Sequence, residues 1–307
     1  MNYIYINKAD ENWIVDRFIQ EWCSYNSDYV TDNIEDADIV WIIAPWNLSS
    51  ISTKILKEKK IICTIHHIDI DKFKGSEKRE FYKLDQYVDI YHVISKKTSK
   101  TLQNLTSKSI TYIPFWINQD TFYQINDKTK LREKYGIPIE SYSIGSFQRD
   151  TEKKGYKRPK LSKGPDQYLE IAKHLNTTVK RLHVVLAGKR REYIISRLKK
   201  ENINYSYFEM VDFSSLNDLY NILDLYIVAS RVEGGPAAVL ESAVSKTPII
   251  GTDVGIVSEI LNPVSIFNMS NFKTAKPDVD FAYENSKKYQ IPKGFDEFNT
   301  FFQSLES

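Results

Sequence analysis

Residues 225–259, LYIVASRVEGGPAAVLESAVSKTPIIGTDVGIVSE, hold the residue types best suited to chemistry on a charged, hydroxylated ligand. Glu233 and Glu241 are separated by seven residues, and Gly234, Gly235 and Pro236 follow the first of them. Two glycines let backbone amides approach a ligand without obstruction by side chains. Pro236 suits the first turn of a helix, where its missing N–H costs nothing. The N–H groups of Ala237, Ala238 and Val239 then open that helix, and with its dipole they suit a phosphate. Glu233, on the loop, is an acceptor for sugar hydroxyls. Glu241, more than a turn into the helix, is an acceptor for a second hydroxyl pair such as a ribose. Two hydroxyl acceptors flanking a phosphate cradle describe a nucleotide-sugar site. A hydrolase acid–base pair is a poorer reading, because it needs two carboxylates flanking one bond at roughly 5–9 Å.

Such a site needs strands that end beside helix starts. Short apolar runs alternate with longer polar, helix-like stretches along the chain. Strands are expected at Tyr3–Ile6, Asp38–Ile43, Lys60–Ile65, Ile90–Ile94, Ser109–Ile113, Ser143–Phe147, Leu182–Ala187, Ser206–Phe208, Leu225–Val228, Pro248–Gly251 and Val264–Phe267. IVWII, IICTI, HVVLA and LYIVA are continuous apolar runs, the pattern of parallel strands covered on both faces. Strand–helix alternation makes the class α/β, as two Rossmann-like domains. The polar stretch between about Asn118 and Ile139 separates them. The expected organisation is an N-terminal domain over 1–120 and a ligand-binding domain over 140–276. A helical tail over 277–307, interrupted by Pro292 and Gly294, is expected to pack back on the N-terminal domain. In open α/β sheets ligands sit beyond the carboxyl ends of the strands.

Composition supports a globular chain. Of 307 residues, 42% are hydrophobic and 27% charged, with 20 Tyr, 15 Phe and 5 Trp to supply core area. That excludes long disorder, and 11 Gly with 10 Pro exclude a collagen-like or low-complexity chain. Lys+Arg at 42 nearly cancels Asp+Glu at 40, so no global pull toward nucleic acid exists. Two cysteines, Cys23 and Cys63, cannot build a disulfide framework and suit a reducing compartment. The N-terminal run is too short for an export signal, and Ile39–Trp46 falls far below the roughly 18 residues a bilayer span needs. The expected location is the cytoplasm.

The Glu–seven residues–Glu pattern around Gly-Gly-Pro resembles the signature of the retaining GT-B glycosyltransferases of family four (glycosyl transferases group 1). Further segments resemble that family in order: CTIHHID, DIYHVISKKTSKTL, YIPFWINQDTF, SIGSFQRD with KGPDQYLEIAKHL, and VDFSSLNDLYNILDLYIVAS. The resemblance covers most of the chain. It implies a GT-B fold with a donor site in the second domain, and transfer of a sugar from a nucleotide-diphosphate sugar to a glycan, lipid-linked or polymer acceptor. No metal or other cofactor is implied. Arg149 and Lys163 would neutralise the diphosphate, Glu241 would hold the ribose, and the loop at Val211 would meet the base. Glu233 and the amides after Gly234 would hold the donor sugar, and His66 would meet it from the other domain.

Three features depart from the family. The place of its glycine-rich loop after the first strand reads NKADENW. DTEKKGYKRPKLS stretches the distance from Arg149 to Lys163, so Lys154 is a rival for the diphosphate. Ser245-Lys246 stands where a glycine usually ends the helix of Glu241. Other constellations read two ways. Asp69-Ile70-Asp71 after a strand has the spacing of a divalent-ion site, but the same pattern recurs at 36–38 and 278–280. His67, Trp13, Trp46 and Trp116 read as structural, with Trp46 and Trp116 as rings that could stack on an acceptor sugar. The basic stretches Lys57–Lys60, Lys96–Lys100 and Lys153–Lys160 read as solvated faces, or as a peripheral contact with anionic lipid at the inner membrane face. A nucleotide-sugar epimerase and a non-catalytic GT-B partner subunit are the rival functions.

Overall fold

The computed structural model describes residues 2–11, 13–153, 155 and 158–305. The chain forms two compact units: one runs to Trp116 and takes up the chain again from Tyr289, and the other spans Ile117–Lys288.

In the first unit, β1 (Ile4–Ile6), β2 (Ile39–Ile42), β3 (Lys60–Ile65), β4 (Ile90–Val93) and β5 (Ser109–Tyr112) pair in parallel in chain order. Helices α1 (Ile14–Tyr25), α2 (Thr53–Glu58), α3 (Gly75–Asp85) and α4 (Lys96–Leu102) lie between them. Every residue of β2 is buried, as its continuous apolar run requires. Val15, Phe18 and Trp22 recur at helical spacing on the buried face of α1. Trp22 is fully buried and meets the rings of Trp41 and Trp116 at 5.6 and 5.7 Å.

The second unit has six parallel strands: β6 (Tyr142–Ser146), β7 (Leu182–Ala187), β8 (Tyr205–Phe208), β9 (Leu225–Val228), β10 (Ile249–Thr252) and β11 (Ile266–Phe267). Its helices are α5 (Lys128–Lys134), α6 (Pro165–Thr178), α7 (Glu192–Lys200), α8 (Phe213–Asn221), α9 (Ala237–Val244), α10 (Val257–Ile260) and α11 (Val279–Ser286). The sheet order is β11-β10-β9-β6-β7-β8, so the direction of winding reverses between β6 and β9. That reversal opens a crevice at the carboxyl ends of the central strands, the place where this architecture binds ligands. Strands β7, β9 and β10 are buried throughout.

The unit boundaries differ from the sequence expectation of 1–120, 140–276 and 277–307. Residues 117–139 belong to the second unit because their side chains find partners there. Phe122 is fully buried against Phe213 and Tyr220. Lys128 and Arg132 pair with the two oxygens of Asp224 at 2.7 and 2.6 Å. At the other end, α11 stays with the second unit, where Asn262 Nδ2 donates to Asp278 Oδ2 at 2.9 Å and Lys246 lies over the Tyr283 ring. From Tyr289 the chain re-enters the first unit, and α12 (Asp296–Gln303) sends Phe298 and Phe302 into the aromatic core around Trp22. A Cβ on Gly294 would lie 2.4 Å from Tyr289 O and 2.7 Å from Trp116 Cβ, so this turn accepts only glycine. Among the described residues no helix is long and apolar enough to cross a membrane.

Candidate active site

Four segments meet at the carboxyl ends of β6, β9 and β10. The first is the start of α6. Gly164 has φ +60°, and a Cβ there would lie 1.7 Å from Ala229 O, just beyond β9. Only glycine permits that approach. Gln167 Nε2 donates to the same carbonyl at 2.6 Å. The result puts Lys163, the preceding residue, against the Glu233 loop. Lys163 Nζ lies 2.5 Å from Glu233 Oε1, with both side chains largely buried. Two residues singled out 70 positions apart in sequence therefore touch. The rival Lys154 lies outside the described residues.

The neighbouring contacts hold this pair in place. Arg231 N and Val232 N both donate to Ser162 O, at 2.8 and 3.0 Å. The Arg231 guanidinium grips both oxygens of Asp166 at 2.8 and 2.6 Å, an exposed bidentate pair. Ser230, fully buried just past β9, donates its hydroxyl to Glu233 Oε1 at 3.0 Å. Thr252, ending β10, donates to Ser230 O at 2.5 Å. Gly255, at φ +49°, sits so close beneath the loop that a Cβ would be 2.0 Å from Gly234 O. Gln148 Nε2 donates to Lys163 O at 2.9 Å, joining the loop after β6.

Arg149 follows in that loop. Its side chain is exposed, but its neighbours are anchored. Arg191, starting α7, donates to Gln148 O, and its Nε lies 3.2 Å from Asp150 Oδ2. Asp150 also accepts from Tyr193 N and Ile194 N at 3.2 and 3.4 Å, capping α7. Burial pushes its carboxyl up to about 6 against the pull of Arg191.

On the other side of the loop, Gly234, Gly235 and Pro236 lead into α9, with Pro236 as the cap and Ala237 as the first helical residue. One expectation is corrected here. Val239 N donates to Pro236 O at 2.9 Å, because the first turn tightens to a three-residue step. Its amide is spent, leaving Ala237 and Ala238 as the amides without a backbone acceptor among the described residues. Glu241 is buried on α9 and accepts the Tyr220 hydroxyl at 2.7 Å. Burial beside that carboxylate raises the Tyr220 phenol well above its ordinary value. Val211 is half-buried in the loop between β8 and α8, and Asp212 caps α8 through Ser215 N at 2.7 Å.

The first unit carries the remaining candidates. His66, directly after β3, is half-buried, and its Nε2–H donates to Ile43 O at 2.7 Å. Its Nδ1 is then the acceptor, and burial pushes its pKa down to about 4. Trp46 stands 47% exposed with its ring 5.4 Å from His66. Trp116, by contrast, is 1% exposed and donates to Glu21 at 2.7 Å, so it is a core residue and not a platform for a sugar. After β1, where a glycine-rich loop was absent, Asp16 folds back to accept from Asp10 N, Glu11 N and Trp13 N. No three His, Cys, Asp or Glu side chains gather to hold a metal among the described residues, Asp69 and Asp71 included. Asp69 faces Lys72 at 4.0 Å.

Sequence reasoning passed over Ser230, Thr252, Gln148 and Tyr220. Gln148 and Ser230 lie beside residues it did single out. Tyr220 and Thr252 carry no local signal, because each acts on a residue of a neighbouring element about twenty positions away.

Two parallel α/β units, the second with its candidate site at a switch point, make up the GT-B fold. Residues 127–290 match the model of the family described as Glycosyl transferases group 1, and the chain belongs to that family. No curated protein sequence matches the chain. Among solved structures it is similar to Anabaena HepE in complex with UDP and glucose, with TM-score 0.81 and 11% identity over 99% of this chain and 100% of that one. It is also similar to sucrose-phosphate synthase from Thermosynechococcus elongatus, with TM-score 0.67 and 14% identity over 94% and 77%. A third likeness is to the pneumococcal O-GlcNAc transferase GtfA in complex with UDP and GlcNAc, with TM-score 0.60 and 12% identity over 87% and 56%.

Proposed function

We propose that this glycosyltransferase moves a sugar from a nucleotide-diphosphate sugar to a carbohydrate or glycoconjugate acceptor, with retention of anomeric configuration. The bond from the anomeric carbon to the diphosphate oxygen breaks and its electron pair leaves with the diphosphate, while the acceptor hydroxyl oxygen bonds to that carbon and gives its proton to the departing diphosphate oxygen. The growing negative charge calls for fixed positive groups, which Arg149, Lys163 and the amides of Ala237 and Ala238 supply. These stand in for a metal ion, so transfer is expected to survive chelation. Glu233 accepts from donor-sugar hydroxyls, and Glu241, fixed by Tyr220, takes the ribose. The Val211 loop meets the base. His66 stays neutral at physiological pH, so its Nδ1 accepts a sugar hydroxyl without adding charge. Trp46 offers its exposed ring to the acceptor.

What supports this reading above all is the 2.5 Å approach of Lys163 to Glu233 at the switch point, beside the glycines that open α9. The HepE structures hold UDP, glucose and UDP-glucose, which makes UDP-sugars the first donors to try. The test is turnover of a UDP-sugar panel by the purified chain, with and without chelator. Arg149 is exposed, so Arg149→Ala is expected to leave the melting temperature unchanged and to lower turnover about 10²–10³-fold. Near-normal turnover in that variant would refute its role. An isomerised sugar formed from donor alone would instead make the chain an epimerase.

A further inference from the structure

We propose that Ser230 is a positioning residue that fixes which oxygen of Glu233 meets the donor sugar, and so sets discrimination between sugar epimers. The inference rests on the donor-site reading above. Ser230 is fully buried, and its hydroxyl lies 3.0 Å from Glu233 Oε1 and 3.4 Å from Gln148 Oε1. A hydroxyl has one hydrogen to give, and the shorter contact to the charged acceptor takes it. The serine is itself held, since Thr252 donates to its carbonyl from the end of β10 at 2.5 Å. Its hydroxyl is therefore registered to two core strands.

Lys163 Nζ reaches the same oxygen, Oε1, at 2.5 Å. Two donors from different elements converge on Oε1, while no described residue donates to Oε2. A carboxylate pinned this way cannot turn about its last torsion, so Oε2 points in one direction. Oε2 is the oxygen left for a substrate hydroxyl. Epimeric sugars differ in the direction of one hydroxyl. A fixed acceptor separates them, because the wrong epimer leaves a buried acceptor unpaired, and a rotating acceptor does not. Lys163 pins the same oxygen but is also assigned to the diphosphate, so Ser230 is the residue that isolates the effect.

The experiment measures the affinity of the full chain for UDP, UDP-glucose and UDP-galactose by calorimetry, in the natural protein and in Ser230→Ala. The natural protein is expected to bind one epimer more tightly than UDP and than the other epimer. Ser230→Ala is expected to keep its UDP affinity within about twofold and to lose about tenfold of the sugar's advantage, with the epimer ratio falling toward one. A merely structural serine would weaken UDP and both sugars alike. Retention of the sugar advantage and the epimer ratio in Ser230→Ala overturns the proposal. If that variant also loses UDP binding, Ser230→Cys, which fills the space an alanine would leave but donates weakly, decides by the same comparison. A natural protein that binds UDP but gains nothing from either sugar overturns the assignment of Glu233, and this inference with it. One that binds no nucleotide refutes the donor reading itself.

Discussion

Gly164 is where a single methyl group should separate structure from function. A Cβ there meets Ala229 O at 1.7 Å, whereas ordinary contact begins near 3.4 Å, so the start of α6 must retreat from β9 by about 1.7 Å. Three costs follow. An L-residue at φ +60° costs roughly 1–2 kcal/mol. The 2.6 Å bond from Gln167 Nε2 to Ala229 O is lost, at about 0.5–1.5 kcal/mol. The retreat also draws Lys163 from Glu233, and a displacement of about 1 Å in a positioned group lowers turnover on the order of 10²-fold. Gly164→Ala is thus expected to lower the melting temperature by about 5–10 °C and turnover of the best donor by about 10²-fold. The control is Gly136→Ala. Gly136 has φ +65° but nothing within 4 Å of its Cβ, so it bears the backbone cost alone. Its variant should melt a few degrees lower and turn over normally. Equal melting shifts in the two variants, with activity intact in both, would show that the Gly164 contact does not position Lys163.

Two further expectations concern stability. Lys246 takes φ +53° just past the end of α9, a left-handed position that favours glycine, so Lys246→Gly should raise stability by about 0.5 kcal/mol after losing the contact over Tyr283. Differential scanning calorimetry checks this, and a fall in melting temperature refutes it. His92 is 1% exposed, accepts the Thr64 hydroxyl at Nδ1 and donates from Nε2 to Ile113 O, and burial pushes its pKa down to about 4. The unfolded chain takes up a proton near 6.5 that the folded chain refuses until about 4. Stability from this residue is therefore full above pH 6.5 and falls by on the order of 3 kcal/mol toward pH 4. Urea midpoints across that window should be steeper in the natural protein than in His92→Gln, with His66 supplying the remaining slope. Parallel curves would refute the assignment.

The strands were legible because burial on both faces leaves a continuous apolar run, as in IICTI at β3 and LYIV at β9. The Glu233 loop was legible because glycines and a proline there serve one backbone geometry. The rest depends on contacts between elements distant in sequence. Trp46 and Trp116 both follow N-terminal-unit strands, and only packing against α1 and the tail buries the second. The unit boundaries escaped detection because residues 117–139 look like a polar linker. One of their charges is not solvated: Arg132 is buried and meets the Ile222 and Ser141 carbonyls as well as Asp224. The amide of Val239 looked open because propensity fixes where a helix starts, not how tight its first turn is.

The Lys163–Glu233 contact raises an objection: a lysine engaged by a carboxylate is lost to a phosphate. Counting donors answers it. An ammonium has three hydrogens, and the contact at 2.5 Å uses one. In the proposed donor complex the other two would meet diphosphate oxygens, and the exposed Arg149 would add a planar fork. The carboxylate also does what water cannot, since Lys163 is only 18% exposed and a buried cation without a counter-charge is costly. On the proposed function, one carboxylate would thus steady the cation that meets the leaving group and present its second oxygen to the sugar. That reading ties leaving-group stabilisation to sugar recognition, and it predicts that a substitution at either residue weakens both.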